Sequence, residues 1–198
     1  MRSPVSAVPH APRRQHNQAA LVQDVRGQDR PVEVRGRGAE LGHSVRPRRG
    51  QRLSVCTTWG LINHGIHLLD VHRAQYDYPD LRRVARDLRK KWRPALIVVE
   101  KAGVGIALGN ELLRDGLNDV KGMVATGDKI QRMSIQCAKI EGGQVWLPKS
   151  APWLDGYLKE LGLFPQGKYF DQVDSTSQIL KAIETRPPQL WTLSRYRN

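Results

Sequence analysis

The sequence is poor in the features that mark a secreted, membrane-spanning or ATP-hydrolysing protein. Its 198 residues contain two cysteines, Cys56 and Cys137, too few for a disulfide framework, so we expect a reducing, cytoplasmic compartment. No apolar run approaches the roughly 18 residues of a membrane span, and we expect neither a secretory leader nor a membrane partner. No Gly-x-x-x-x-Gly-Lys-Ser/Thr motif occurs, so this chain alone is not expected to be an ATPase.

The first 50 residues lack lysine and every one of the aromatic residues, yet they contain ten arginines against four acids. With scattered proline and glycine, such a segment cannot bury enough surface to fold alone. We therefore predict that residues 1–53 are a disordered, Arg-rich segment. It is either a basic arm for nucleic acid or sequence that was never selected as protein. The formal net charge of +13 makes a polyanion such as nucleic acid the expected partner.

Regular α/β patterning begins near Ser54. Two β-rich runs, 54–60 and 66–72, flank Asn63-His64-Gly65, which is typical of a hairpin turn. A continuously apolar strand at 95–99 then ends on Glu100. Further strands are predicted at 120–125 and 145–147, and helices at 77–93, 106–114, 128–141, 152–161 and 171–183. This order predicts an α/β fold in which a hairpin precedes crossover helices.

Three acids stand where burial would be costly without a cation. Glu100 ends a buried strand, and Asp171 and Asp174 begin the last predicted helix. Mg²⁺ or Mn²⁺ would remove that cost, and two such ions about 4 Å apart support phosphodiester cleavage. A helix first turn also favours acids through its dipole and through capping. Spacing alone leaves both interpretations open.

A series of short motifs runs from residue 54 to about residue 184. Among them are Ile-Val-Val-Glu-Lys-Ala-Gly at 97–103, Gly-Asp-Lys at 127–129 and Phe-Pro-Gln-Gly at 164–167. The others are 54–60, 68–73, 78–81, Arg132, 140–143, 147–148, 153–154 and 171–174. In this order they resemble the C-terminal nuclease domain of tailed-phage terminase large subunits, which package DNA. The resemblance implies an RNase H-like mixed sheet flanked by helices, in which two Mg²⁺ or Mn²⁺ ions cut concatemeric double-stranded DNA.

The resemblance also implies roles for single residues. It makes Glu100 the metal ligand on the fourth strand and Asp171 the ligand on a late helix, with Asp174 as a supporting acid. Lys129 and Arg132 would lie near the DNA path, although two solvated helix charges are an equal alternative. In the intact family the further partners are the portal protein and the terminase small subunit, in the cytoplasm of a host that carries the phage or prophage.

Two departures from the family weaken the expected metal binding. The family's His-Asp-Asp is replaced by Tyr169-Phe170-Asp171, so one histidine and one acid become aromatic. The family's first-strand aspartate, in a Ser-Trp-Asp-Thr-Ala motif, is also missing, and Glu40 is the single acid in residues 39–54. With chosen synonymous codons, residues 39–44 read one nucleotide later give Gln-Ser-Trp-Asp-Thr-Ala. We therefore interpret residues 1–53 as out of frame and expect the first strand to be degraded or missing.

The sequence thus predicts a terminase-type nuclease module at 54–184 with impaired cleavage, followed by a tail at 185–198. The family's ATPase domain is absent from it, as is one catalytic carboxylate. One alternative is a non-catalytic DNA-binding remnant, because residues 51–198 still carry 22 basic and 15 acidic side chains. Another is a different RNase H-like nuclease, such as a junction resolvase, which would prefer branched DNA.

Overall fold

A computed structural model describes residues 17–24, 52–62 and 65–185 of the chain. These residues form six strands and five helices. In chain order they are β1 Asn17–Asp24, β2 Arg52–Ile62, β3 Gly65–Tyr76, α1 Tyr78–Trp92, β4 Leu96–Glu100, α2 Val104–Arg114, β5 Val120–Met123, α3 Lys129–Glu141, β6 Val145–Trp146, α4 Leu154–Gly162 and α5 Asp171–Glu184. The predicted α/β class is confirmed, and every element predicted after Ser54 is present with ends moved by a few residues.

The strands form one mixed sheet in the order β5-β4-β1-β2-β3-β6. β2 and β3 pair antiparallel, as the hairpin prediction required, while Asn63 and His64 of the predicted turn lie outside the described residues. β4 pairs parallel with β5, and β3 pairs parallel with β6. The sheet therefore mixes both strand directions, with short strands at its two edges.

The centre of the sheet differs from expectation. We predicted residues 1–53 to be disordered and the first strand to be degraded or missing, whereas β1 lies between β2 and β4, parallel to the first and antiparallel to the second. Without it, β2 and β4 would each leave a row of unpaired backbone groups. Residues 19–22 are four consecutive apolar residues, a composition suited to such a central place. The rest of 1–51, and the tail beyond Thr185, lie outside the described residues.

Helices cover both faces of the sheet, and β4 shows why. Its side chains alternate, so that Leu96 and Val98 pack with α4 and α5 while Ile97 and Val99 pack with α1 and α2. All four are at most 3% exposed. The predicted strand buried on both faces is therefore confirmed. Glu100 continues the alternation of Leu96 and Val98 and so lies on the face covered by α5.

Helix α1 neutralises much of its own positive charge within the fold. The side chain of Asp77 caps the helix by accepting from the backbone N–H of Asp80 at 3.0 Å. Arg82 and Arg86 both pair with Asp115, which follows α2, and Arg89 pairs with Asp119 at 3.0 Å. These arginines are consequently bound to acids of the same chain, on the face of the sheet away from α5.

Candidate functional site

Glu100, Asp171 and Asp174 share one electrostatic environment on the α5 face of the sheet. Glu100 ends β4, and α5 begins with Asp171 and carries Asp174 within its first turn. Burial raises the pKa of Glu100, and the negative charge of Asp174 raises it further. The positive charge of Arg132 acts in the opposite direction, Asp171 adds a smaller upward effect, and a hydrogen bond from Gln178 lowers the pKa. The structure thus brings together the three acids that the sequence singled out.

Asp171 is the most buried of the three acids, at 3% exposure. Burial raises its pKa to about 7, and the nearby carboxylate of Glu160 acts in the same direction. Arg73 opposes that shift, followed by a smaller upward effect of Asp174 and a downward effect of Lys129. Asp171 is therefore a carboxyl group whose protonation changes near neutral pH.

Glu160 is a residue of this site that sequence reasoning missed. Its carboxylate accepts hydrogen bonds from the backbone N–H of Gln172 at 2.7 Å and from the side-chain Nε2 of Gln172 at 2.6 Å. It therefore reaches from α4 to satisfy a donor in the first turn of α5. Helical spacing in the sequence could have indicated that Glu160 is buried. Glu160 lies three residues after Tyr157, which is fully buried, and residues three apart share one face of a helix. Leu158, the apolar residue that follows Tyr157, is by contrast 45% exposed.

Arg132 is held inside the site. Its Nη2 donates to Oδ1 of Asp174 at 2.8 Å, and its Nη1 donates to the backbone carbonyl of Gly127 at 2.8 Å. The side chains of Arg132 and Asp174 are 16% and 18% exposed. Arg132 was predicted near a DNA path, and in this structure its guanidinium is a fixed counter-charge to the acids.

Three cations lie around the acids on aromatic rings, and we call Arg73, Lys129 and Lys168 the cationic rim. Nζ of Lys129 is 4.2 Å from the centre of the Phe170 ring. The Arg73 guanidinium and Lys168 Nζ lie 5.8 Å and 5.4 Å from the centre of the Tyr169 ring. Tyr169 and Phe170 therefore hold positive charge beside Asp171.

The described residues do not fit a two-metal centre. Carboxylate oxygens are the donors that Mg²⁺ and Mn²⁺ prefer, so the acids suit either ion by type. Within the described ranges, however, no group of three or more His, Cys, Asp or Glu side chains is placed to hold an ion. Oδ1 of Asp174 is bound by Arg132. The acid of β1, Asp24, pairs with Leu61, at the end of the strand remote from Glu100.

We expect Asp171→Asn to flatten the pH dependence of stability between about pH 4 and about pH 7. The folded state raises the Asp171 pKa from 3.8 to about 7, so in this window it keeps a proton that the unfolded chain releases. The free energy of unfolding therefore falls as pH rises, and Glu100 acts in the same direction. At pH 7 the variant should be more stable by at least about 1 kcal/mol, because one pKa unit is worth about 1.4 kcal/mol and the pKa of Asp171 is raised by more than one.

Urea denaturation of parent and variant across this pH range measures the difference. Asp87→Asn, at an exposed aspartate on α1, is the matched control. An Asp171→Asn slope identical to that of the parent would contradict a carboxyl group that retains its proton in the fold.

No protein-family model matches the chain, and no curated protein is significantly similar to it. In the part of the chain that the structure describes, no helix combines the length and the apolar character needed to cross a bilayer.

Proposed function

We propose that residues 54–184 are a nuclease module of the terminase large-subunit type that binds double-stranded DNA and cleaves it weakly or not at all. The observation that carries the proposal is the meeting of Glu100 with Asp171 and Asp174, which come from distant parts of the sequence. The resemblance assigns roles to these acids residue by residue, independently of the geometry. Their position at the end of a buried strand and the start of a late helix is where such a nuclease needs them.

The architecture supports an RNase H-like assignment. A mixed sheet has helices on both faces, and the acids lie on the face that α5 covers. β1 fills the central place that the family gives to its first strand, but Asp24 stands at its far end. The strand therefore completes the backbone pairing without bringing an acid to Glu100, which supports impaired cleavage.

The cationic rim supports DNA as the partner. Most protein–DNA hydrogen bonds go to phosphate and sugar, and lysine and arginine supply many of them. Lys129 and Lys168 are held by ring contacts rather than by acids, whereas the arginines of α1 are paired with carboxylates. The two rim lysines thus place positive charge that is open to phosphate on the side of the sheet that carries the acids.

A non-catalytic DNA-binding remnant is the second candidate, and the Arg132–Asp174 pair favours it. A guanidinium 2.8 Å from a carboxylate supplies part of the positive charge that metal ions would otherwise bring to the acids. The two candidates share DNA binding and differ in residual cleavage that requires Mg²⁺ or Mn²⁺.

Salt-dependent binding of the full chain to linear duplex DNA tests the proposal. We expect affinity to fall as salt rises from about 50 to about 200 mM, because bound cations release counterions from phosphate. The slope of the logarithm of the binding constant against the logarithm of the salt concentration counts the phosphates that the protein neutralises. The double variant Lys129→Gln/Lys168→Gln should reduce the size of this slope by about two, one for each lysine replaced. The matched control, Lys90→Gln/Arg114→Gln, removes two exposed cations from the opposite face of the sheet and should keep the slope near that of the parent.

Anisotropy titrations of a labelled duplex give the slopes. Equal slopes for the rim variant and its control would contradict a role for the rim, and undetectable binding by the parent would contradict the proposed function. Tighter binding to a four-way junction than to linear duplex would instead indicate a junction resolvase.

A further inference from the structure

A cleft beside the acids has no role in the function proposed above. It has a volume of about 280 Å³ and lies between the segment after β5, helix α3 and helix α5. Its lining includes two buried amides, Gln136 and Gln178, at 2% and 4% exposure. It also includes two apolar side chains, Val124 and Ile135, that are 58% and 59% exposed. The cleft therefore combines a buried polar lining with an exposed apolar one.

One buried donor on this lining has capacity for a ligand. Nε of Arg132 is buried and has no hydrogen-bond partner among the described residues, although the other two guanidinium nitrogens are engaged. Beside it, the buried side chain of Gln136 accepts from Nζ of Lys139 at 2.7 Å through its Oε1. A buried donor without an acceptor costs stability. A ligand with hydrogen-bond acceptors on its edge would remove that cost.

The chemistry of the lining selects among ligand classes. A purely apolar ligand would leave Nε of Arg132 without an acceptor, and a small inorganic anion would make no use of Val124 and Ile135. A nucleobase suits both parts, because its faces are apolar and its edge carries the acceptors and donors that amides and guanidinium groups bind. The volume lies below the roughly 300–1,000 Å³ of sites for drug-sized ligands, as expected for a single ring system.

We propose that this cleft binds one unpaired nucleotide of a DNA strand, with the base against Ile135 and Gln136 and the phosphate against Lys181. Lys181 is exposed on α5 and lines the cleft, so it is placed to meet the sugar–phosphate chain outside it. The inference rests on the proposed function in taking DNA as the partner. It adds that the protein distinguishes an unpaired base from a paired one at a site next to the acids, with which the cleft shares Arg132.

The test compares a duplex that contains one unpaired base with the fully paired duplex, both fluorescently labelled, on the full chain. We expect the parent to bind the bulged duplex about tenfold more tightly, the order expected when a base buries one exposed isoleucine side chain. The double variant Ile135→Ala/Lys181→Gln should bring the two affinities within about twofold of each other. Leu113→Ala/Arg114→Gln on α2 is the matched control and should keep the preference, since it too removes one exposed apolar side chain and one positive charge.

The outcomes separate this proposal from the proposed function. A parent that binds DNA without preferring the bulge, or a cleft variant that keeps the preference, would overturn the cleft assignment and leave the proposed function in place. A parent that binds no DNA would overturn both. Displacement of the bulged duplex by an equal concentration of dAMP would overturn the assignment in favour of a free nucleotide. Circular dichroism of each variant checks the fold, and all four substituted positions are exposed.

Discussion

Arg132→Met is expected to lower the free energy of unfolding by about 3 kcal/mol at neutral pH, as when one partner of a buried ion pair is removed. The guanidinium binds Asp174 and also lies close enough to Glu100 to lower its pKa. Without it, a group of mostly buried acids would keep negative charge with no cation between them. Urea denaturation at pH 7 measures the loss, and the loss should shrink at acidic pH, where the acids are protonated.

The double variant Arg132→Met/Asp174→Asn should recover most of this loss, because it removes the charge that Arg132 compensates. Arg83→Met is the matched control. Arg83 pairs with Asp80 at 2.8 Å, but the two side chains are 70% and 40% exposed, so we expect an effect within about 0.5 kcal/mol. If Arg132→Met costs no more than Arg83→Met, Arg132 is not the counter-charge of this site.

Gly105→Ala is expected to destabilise the fold by about 3 kcal/mol through steric overlap, near the upper end for overpacking. A Cβ at Gly105 would lie 2.1 Å from the backbone carbonyl oxygen of Glu100. Neither side of that contact is a flexible side chain, so α2 or the end of β4 would have to move. Because Glu100 is itself the residue displaced, the substitution disturbs the acid cluster as well as the packing.

Gly109→Ala in the same helix is the control, because the atom nearest to its added Cβ is the Cβ of Val99, at an ordinary contact distance of 4.0 Å. Alanine is the better helix former, so this variant should be neutral or more stable by up to about 1 kcal/mol. Thermal or urea denaturation of the two variants gives the comparison. Losses of equal size would contradict the close approach of α2 to the end of β4.

Local patterns in the sequence predicted much of the fold after residue 54. The apolar run that ends on Glu100, the cap at Asp77 and the spacing of α5 each act over a few residues, so their effect can be seen without tertiary information. The same patterns placed Glu100 and Asp171 at the ends of a strand and a helix that belong to one face of the sheet. That these two acids are near each other is a consequence of the α/β order.

The features that sequence reasoning missed depend on contacts between distant residues. β1 is stabilised by pairing on both sides, which no pattern within residues 17–24 reveals. Arg132 could be recognised as a charge on a helix, but its partner Asp174 lies on another helix. Tyr169 and Phe170 were interpreted as the loss of ligands, and the cations above their rings became visible only once α3 and β3 were in place.

Nicking of supercoiled plasmid DNA in Mg²⁺ or Mn²⁺ tests most directly the claim that the acid cluster is one carboxylate short. Cleavage by a metal pair needs oxygen donors that bridge both ions. The described residues bring Glu100 and Asp171 together, with Asp174 already bound to Arg132. We predict a parent rate no higher than that of Glu100→Ala. Robust turnover by the parent, abolished by Glu100→Ala, would contradict the account.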